Sequence, residues 1–243
     1  MRGLVLLLTL AGCSGENAAP TPNPGYRILF IGNSLTYLND LPGTVSQLAA
    51  SVSERVEVLS VARPNFALID HVDGKSNAVE VIQTGNWDYV VLQQGPSSLP
   101  LSRDTLVLAT RLLDPYIKAA GGRSALLMVW PESARFDFFD EVRVSYQLAA
   151  QEVAGLFLPA GEAWLRAWAV DPQLQLYGPD GYHPSELGTY LAALVVFEGV
   201  TGHDARTLPA EASVAGRKLA VPASRVRLLQ RVAHEAVAQF AGD

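Results

Sequence analysis

Cysteine is almost missing from this chain: Cys13 stands alone among 243 residues. No intrachain disulfide is therefore available to the fold. Charge is sparse as well, at 17% of residues with a net charge of −6. No block of like charge occurs, so the basic footprint of a nucleic-acid binder is lacking and polyanions are excluded as partners. No internal repeat is present. The one long apolar run, Leu4 to Leu10, is too short to span a bilayer as a helix. Histidine is scarce too, limited to His71, His183, His203 and His234. What the chain does have is a 49% hydrophobic composition, enough at this length for one sizeable core.

The first residues read as a targeting segment. Met1-Arg2 is a short basic start, and the apolar run ends in small residues at Leu10-Ala11-Gly12, just before Cys13. This is the pattern of a cleavable export signal over 1–12. The tetrapeptide Leu10-Ala11-Gly12-Cys13 resembles the bacterial lipobox. That resemblance implies that Cys13 is diacylated, becomes the new N-terminus and anchors the chain to the cell envelope through lipid. Ser14 resembles the outer-membrane sorting class if the source is Gram-negative, so the expected location is the outer membrane or another periplasm-facing surface. Ser14 to Gly25 is polar, holds three prolines and lacks periodicity. Residues 13–25 therefore read as the lipidated cysteine and a flexible linker, and 26–243 as the folded domain.

From Tyr26 onward, strand and helix patterns alternate. Tyr26 to Ile31 is a β-branched and aromatic run that stops at Gly32-Asn33-Ser34, and helical spacing of Leu41, Val45, Leu48, Ala49 and Val52 follows. Further strands are expected at Val56–Val61, Trp87–Leu92, Ser124–Trp130 and Leu156–Leu158. Further helices are expected along the chain. One follows a Ser102 or Asp104 cap and is kinked or divided by Pro115. Others run around Val142–Val153, through Trp164 and Trp168, and after Pro184, which suits a first helical turn. A last amphipathic helix, Ser224–Phe240, follows an irregular stretch from Asp204 to Val221, and a short helical piece is expected at Phe66–Val72. Strands alternating with helices argue a parallel sheet covered on both faces.

In such sheets, ligand sites lie beyond the carboxyl ends of the strands. Ser34 sits at one such end and is a candidate nucleophile, although Asn33 and Ser34 also suit an ordinary turn. A serine nucleophile needs a base and a group that orients the base. His183 lies on a loop at a helix start, with Asp180 three residues before it and Gly181 between them to allow a tight bend. His203 and His234 are expected at the surface. Ile31-Gly32-Asn33-Ser34-Leu35-Thr36, taken with Asp180-Gly181-Tyr182-His183-Pro184-Ser185, resembles the SGNH (GDSL-like) hydrolase superfamily in its Gly-Asn-Ser style. The resemblance runs from about Arg27 to His203. It implies a three-layer α/β/α sandwich with a five-stranded parallel sheet (flavodoxin-like). It also implies a triad of Ser34 as nucleophile, His183 as base and Asp180 as its partner.

In that superfamily a glycine N–H and an asparagine amide complete the oxyanion hole beside the serine N–H. Here the second-strand loop reads Arg63-Pro64-Asn65-Phe66, without glycine, and the third reads Gln93-Gln94-Gly95-Pro96. Pro64 has no N–H to give, so Asn65 is the expected donor with Ser34. Gln93 is the first choice for the amide and Gln94 the second. Asn33 and Trp130 are expected to line the substrate site. Trp164 and Trp168, four apart on a helix, are expected to pack. His71 with Asp70 and Asp73 is a poor match to a metal centre; no metal and no cofactor is expected. The resemblance implies a monomeric serine esterase that removes short acyl groups, acetyl above all, from a carbohydrate or similar alcohol. A non-catalytic binding lipoprotein of the same fold, or an acyltransferase on the same triad, stand as alternatives.

Overall fold

A computed structural model describes residues 25–241. Cys13, the export signal expected at 1–12 and the linker up to residue 24 lie outside the described residues. Five strands form one parallel sheet: β1 (Tyr26–Gly32), β2 (Val56–Ala62), β3 (Tyr89–Leu92), β4 (Arg123–Leu127) and β5 (Leu156–Leu158). Their order is β2-β1-β3-β4-β5. β1 bonds β2 on one side and β3 on the other, so the winding reverses between β1 and β3, where such folds open a crevice at the carboxyl ends. Ile28 to Ile31 are fully buried because helices cover both faces, which is why β1 reads as a continuous apolar run. β2, at the edge, is buried only in part.

The helices are α1 (Ser34–Tyr37), α2 (Leu41–Ala50), α3 (Leu68–Val72), α4 (Ala78–Thr84), α5 (Pro100–Ala119), α6 (Phe139–Glu152), α7 (Ala160–Val170), α8 (Glu186–Thr201) and α9 (Ala223–Phe240). α3 to α6 pack together in one layer, and α2, α7, α8 and α9 in the other. α8 is apolar all round, from Tyr190 to Phe197, because it is enclosed by α2, α7 and α9. No helix among the described residues is long and apolar enough to cross a membrane.

Several local expectations are corrected. β3 begins at Tyr89, and β4 ends at Leu127, before the expected Trp130. α4 has only Ala78 and Ile82 buried, too short a pattern to read as periodic. Pro115 does not divide α5; it sits on the exposed face, where water can serve the carbonyl that its missing N–H leaves free. Pro184 lies before the first turn of α8. Ser185 is the cap, its hydroxyl accepting from the Gly188 N–H at 3.1 Å. The stretch 204–221 holds a 3₁₀ turn at Ala205–Thr207 and a small hairpin, β6 (Ser213–Val214) with β7 (Arg217–Lys218).

Candidate active site

The turn after β1 is built to expose one hydroxyl. A Cβ on Gly32 would meet the Gln93 side chain and the Thr36 hydroxyl, so only glycine fits. Asn33 is buried and held three ways. Its N–H donates to Gln93 Oε1 (3.0 Å), its amide to the Phe66 carbonyl (2.9 Å), and its Oδ1 accepts from the Leu35 N–H (3.0 Å). With Asn33 fixed as the cap of α1, Ser34 is half-buried and faces outward at the carboxyl end of the sheet. Its Oγ lies 2.9 Å from His183 Nε2.

His183 stands on a loop closed on itself by the Gly178 N–H to the His183 carbonyl (2.7 Å) and bent at Gly181, whose φ is +67°. Asp180 serves the loop twice. Its Oδ1 accepts from the N–H groups of Tyr182 (3.0 Å) and His183 (2.9 Å), and its Oδ2 lies 2.5 Å from His183 Nδ1. The bond to the imidazole, followed by that from the Tyr182 N–H, lowers the Asp180 carboxyl to about 2. Asp180 is thus an anion at neutral pH and selects the tautomer with the proton on Nδ1. Nε2 is left as an acceptor toward Ser34.

Four contacts from distant segments hold this loop. Trp130 Nε1 donates to the Tyr182 carbonyl (3.0 Å), and the Ser133 N–H to the Gly181 carbonyl (2.8 Å). The Tyr177 hydroxyl donates to the Pro131 carbonyl (2.7 Å). Asn39, at φ +56°, donates to the Pro184 carbonyl (2.9 Å) and to Thr189 Oγ1 (3.1 Å), tying the nucleophile's segment to the base's. Asn39 and Ser133 carry no motif, and neither stood out in the sequence.

The two glutamines are corrected. Gln93 is fully buried; its Oε1 accepts from Asn33 and from the Thr36 hydroxyl (2.7 Å), and its Nε2 donates to the Gln94 carbonyl. The Gln94 amide donates to Ser97 Oγ (2.8 Å) and the Ser102 carbonyl (3.3 Å), while its oxygen accepts from the Leu68 N–H (3.0 Å). Gln94 thus spends both amide N–H groups within the loops, and Gln93, which spends one, is enclosed away from the cavity. Asn65 is different. It sits at φ +61°, the region glycine favours and asparagine tolerates, and makes no hydrogen bond among the described residues. The Ser34 N–H is likewise without a partner among the described residues.

Trp130 is corrected as a substrate-lining residue. It is 2% exposed and stacked 3.6 Å from Trp164, so it holds the loop that carries His183 from beneath. Trp164 is buried and packs, as expected. His71 is buried against the nucleophile turn, Nε2 beside the Gly32 carbonyl (3.0 Å) and Nδ1 beside Ser76 Oγ (2.7 Å). Burial lowers its pKa, so the ring is neutral and braces the end of β1. Asp70 turns away to the Ala67 N–H (2.9 Å) and Lys75 (2.5 Å), so the grouping with His71 does not converge. His203 and His234 are half-buried at the surface. They pair with Glu54 (2.8 Å) and Glu198 (2.6 Å) respectively. Glu198, Asp204 and His234 lie together, yet Asp204 is clasped by Arg206, so a cation there would face a guanidinium.

A cavity of about 480 Å³ opens beside the triad. Asn33 and Asn65 line it, and its other walls come from Gln94 to Leu99, from Pro131, Glu132 and Arg135, and from Tyr182.

No family model matches the chain, and no curated protein does. Solved structures do. A DUF4886 family protein from Bacteroides uniformis superposes with a TM-score of 0.73 at 18% identity, over 88% of this chain and 95% of that one. An SGNH hydrolase candidate from Slackia heliotrinireducens gives a TM-score of 0.60 at 29% identity, over 72% of this chain and 98% of that one. A catalytic mutant of an acetylxylan esterase from Geobacillus stearothermophilus gives 0.55 at 16% identity, over 73% and 94%.

Proposed function

We propose, for a chain whose fold is that of solved SGNH (GDSL-like) hydrolase structures, a serine esterase acting on short acyl esters, acetyl above all, of a carbohydrate or similar alcohol. The observation that carries the proposal is the unbroken line Asp180 Oδ2, His183 Nδ1, His183 Nε2, Ser34 Oγ, with steps of 2.5 Å and 2.9 Å at its ends. His183 takes the Ser34 proton as Oγ attacks the ester carbonyl. Asp180 steadies the imidazolium, and the proton passes to the leaving alcohol. Water, deprotonated by the same Nε2, then attacks the acyl-enzyme and releases the acid. The Ser34 N–H and Asn65 are the donors left free to meet the oxyanion. One neighbour is described as an acetylxylan esterase, which supports an acetylated carbohydrate as substrate.

The test is hydrolysis of p-nitrophenyl acetate by the parent and by Ser34→Ala. The expected loss is about a thousandfold or more. Equal rates would overturn the reading. A second reading, a binding protein that retains the fold without turnover, is favoured by the inward commitment of the Gln94 amide and the burial of Gln93. A fluorophosphonate probe separates the two, since only a working Ser34 becomes labelled. We further propose that Cys13 is lipidated and tethers the domain to the envelope, on the strength of the Leu10-Ala11-Gly12-Cys13 pattern.

A further inference from the structure

The cavity beside Ser34 presents two opposite charges that do not meet. Glu132 and Arg135 both line it, and neither forms an ion pair among the described residues. Arg135 is nevertheless held in place. Its Nη2 donates to Ser98 Oγ at 3.2 Å, and its guanidinium carbon lies 4.5 Å from the centre of the Phe138 ring. One contact fixes the position of the fork and the other supports its face, while its other N–H donors make no hydrogen bond among the described residues. A guanidinium so placed is preorganised for a planar anion.

Glu132 lines the same cavity. Its segment is tied to the catalytic loop by the Ser133 N–H to the Gly181 carbonyl (2.8 Å), and Arg135 N–H donates to the Glu132 carbonyl (2.8 Å). Tyr182 lines the same wall; burial first, and the nearby Glu132 carboxylate second, push its phenol up, so it remains a neutral hydroxyl. Glu132 and Tyr182 together offer an acceptor and a donor to sugar-like hydroxyls. Ser97 and Ser98, both buried, complete the polar wall next to Arg135. A long acyl chain would leave these groups desolvated and unpaired, which is costly.

We propose that Arg135 and Glu132 select the substrate's non-reacting part, and that this part is a polyol bearing a carboxylate, of the acylated uronate class. The carboxylate seats in the Arg135 fork beside Ser98, and hydroxyls of the same ring meet Glu132 and Tyr182. The assignment rests on the esterase reading for its reaction, not for its binding.

Two measurements test it. The first compares kcat/KM for an acetylated methyl glucuronide with that for the equivalent acetylated methyl glucoside. The parent is expected to prefer the glucuronide by about tenfold or more, which corresponds to 1.4 kcal/mol. Arg135→Gln brings the ratio close to one. Arg135→Lys, with the charge but not the fork, falls between. A parent ratio near one, or an unchanged ratio in Arg135→Gln with an unaltered melting temperature, overturns the proposal. The second is calorimetric titration of methyl glucuronide and methyl glucoside into the intact chain, which needs no turnover. Binding of the glucuronide alone, lost in Arg135→Gln, supports the subsite; equal binding of both, or of neither, overturns it. Absent hydrolysis with selective binding therefore points to failure of the esterase reading. Hydrolysis without discrimination points to failure of the subsite. Should Arg135→Gln misfold, Ser98→Ala, which removes the bond orienting the fork, is expected to narrow the same ratio.

Discussion

Asn65 occupies a backbone conformation that most side chains avoid, and it does so at the rim of the cavity with its N–H and its amide free. Either group can serve a developing oxyanion, and two substitutions separate them. Asn65→Gly keeps the backbone N–H and the left-handed φ, whereas Asn65→Ala loses the amide and strains the turn. If the side chain is the donor, both variants drop kcat by ~10²–10³ with KM little changed. If the backbone is the donor, Asn65→Gly retains activity and only Asn65→Ala falls. Asp180 makes a second prediction at this scale. Asp180→Asn frees the tautomer of His183, and kcat is expected to fall by ~10²–10⁴. Its carboxyl moves from an ordinary 3.8 to about 2 on folding, so the charged form favours the folded state. That contribution is complete above pH 3.8 and is lost as pH falls through about 2. The melting temperatures of parent and Asp180→Asn should therefore differ by a constant, small amount from neutral pH down to about 4, and converge below it. The amount is small because the Asp180 side chain is 51% exposed and solvent screens it.

At the scale of elements, the catalytic loop depends on Gly181. Its φ of +67° is costly for any other residue, and an added Cβ would run into Ser133 Oγ. Gly181→Ala is expected to cost about 1–2 kcal/mol from the backbone alone and to lower kcat by displacing His183. The double variant with Ser133→Ala removes the clash and should recover part of kcat but not the melting temperature lost to φ. Unchanged kcat in Gly181→Ala would mean that the loop tolerates the shift. The same loop shows what the sequence could reveal. Asp180 and His183 are three residues apart and bond each other, so their spacing, taken with the resemblance of their segment and of Gly32-Asn33-Ser34 to the SGNH pattern, brought them into view. Ser34 was legible because a strand run ended on it. Asn39 and Ser133 were not, because they act on Pro184 and Gly181 across the fold, through groups common in any loop. The glutamines were visible as residues, but their amide directions follow from partners such as Ser97, Ser102 and Thr36. No spacing reveals those. Strand identities were legible wherever both faces are buried. Their ends were not, since Trp130 leaves the sheet to stack on Trp164.

Across the whole molecule, the parallel sheet separates entry from chemistry. β1 enters at Tyr26, ends six residues later at Gly32 and delivers Ser34 just beyond. At about 3.3 Å per residue that is roughly 20 Å, the full depth of the sheet. A lipid on Cys13 would therefore pull on the amino-terminal edge of β1, opposite the cavity. With the sheet between them, the cavity would then face away from such an anchor, an arrangement we propose together with the tether. Two results are expected from Cys13→Ser. The chain should move from the membrane fraction to the soluble fraction of cells that process lipoproteins. The purified soluble form should hydrolyse p-nitrophenyl acetate with the kcat/KM of the vesicle-bound parent. If the soluble form is instead severalfold slower, and vesicles restore it, the membrane takes part in the site and the opposed arrangement is wrong. If Cys13→Ser stays in the membrane fraction, the tether does not run through Cys13. Equal activity with altered partition is the outcome expected of the proposed arrangement, because nothing in the line from Asp180 to Ser34 reaches the Tyr26 end of β1.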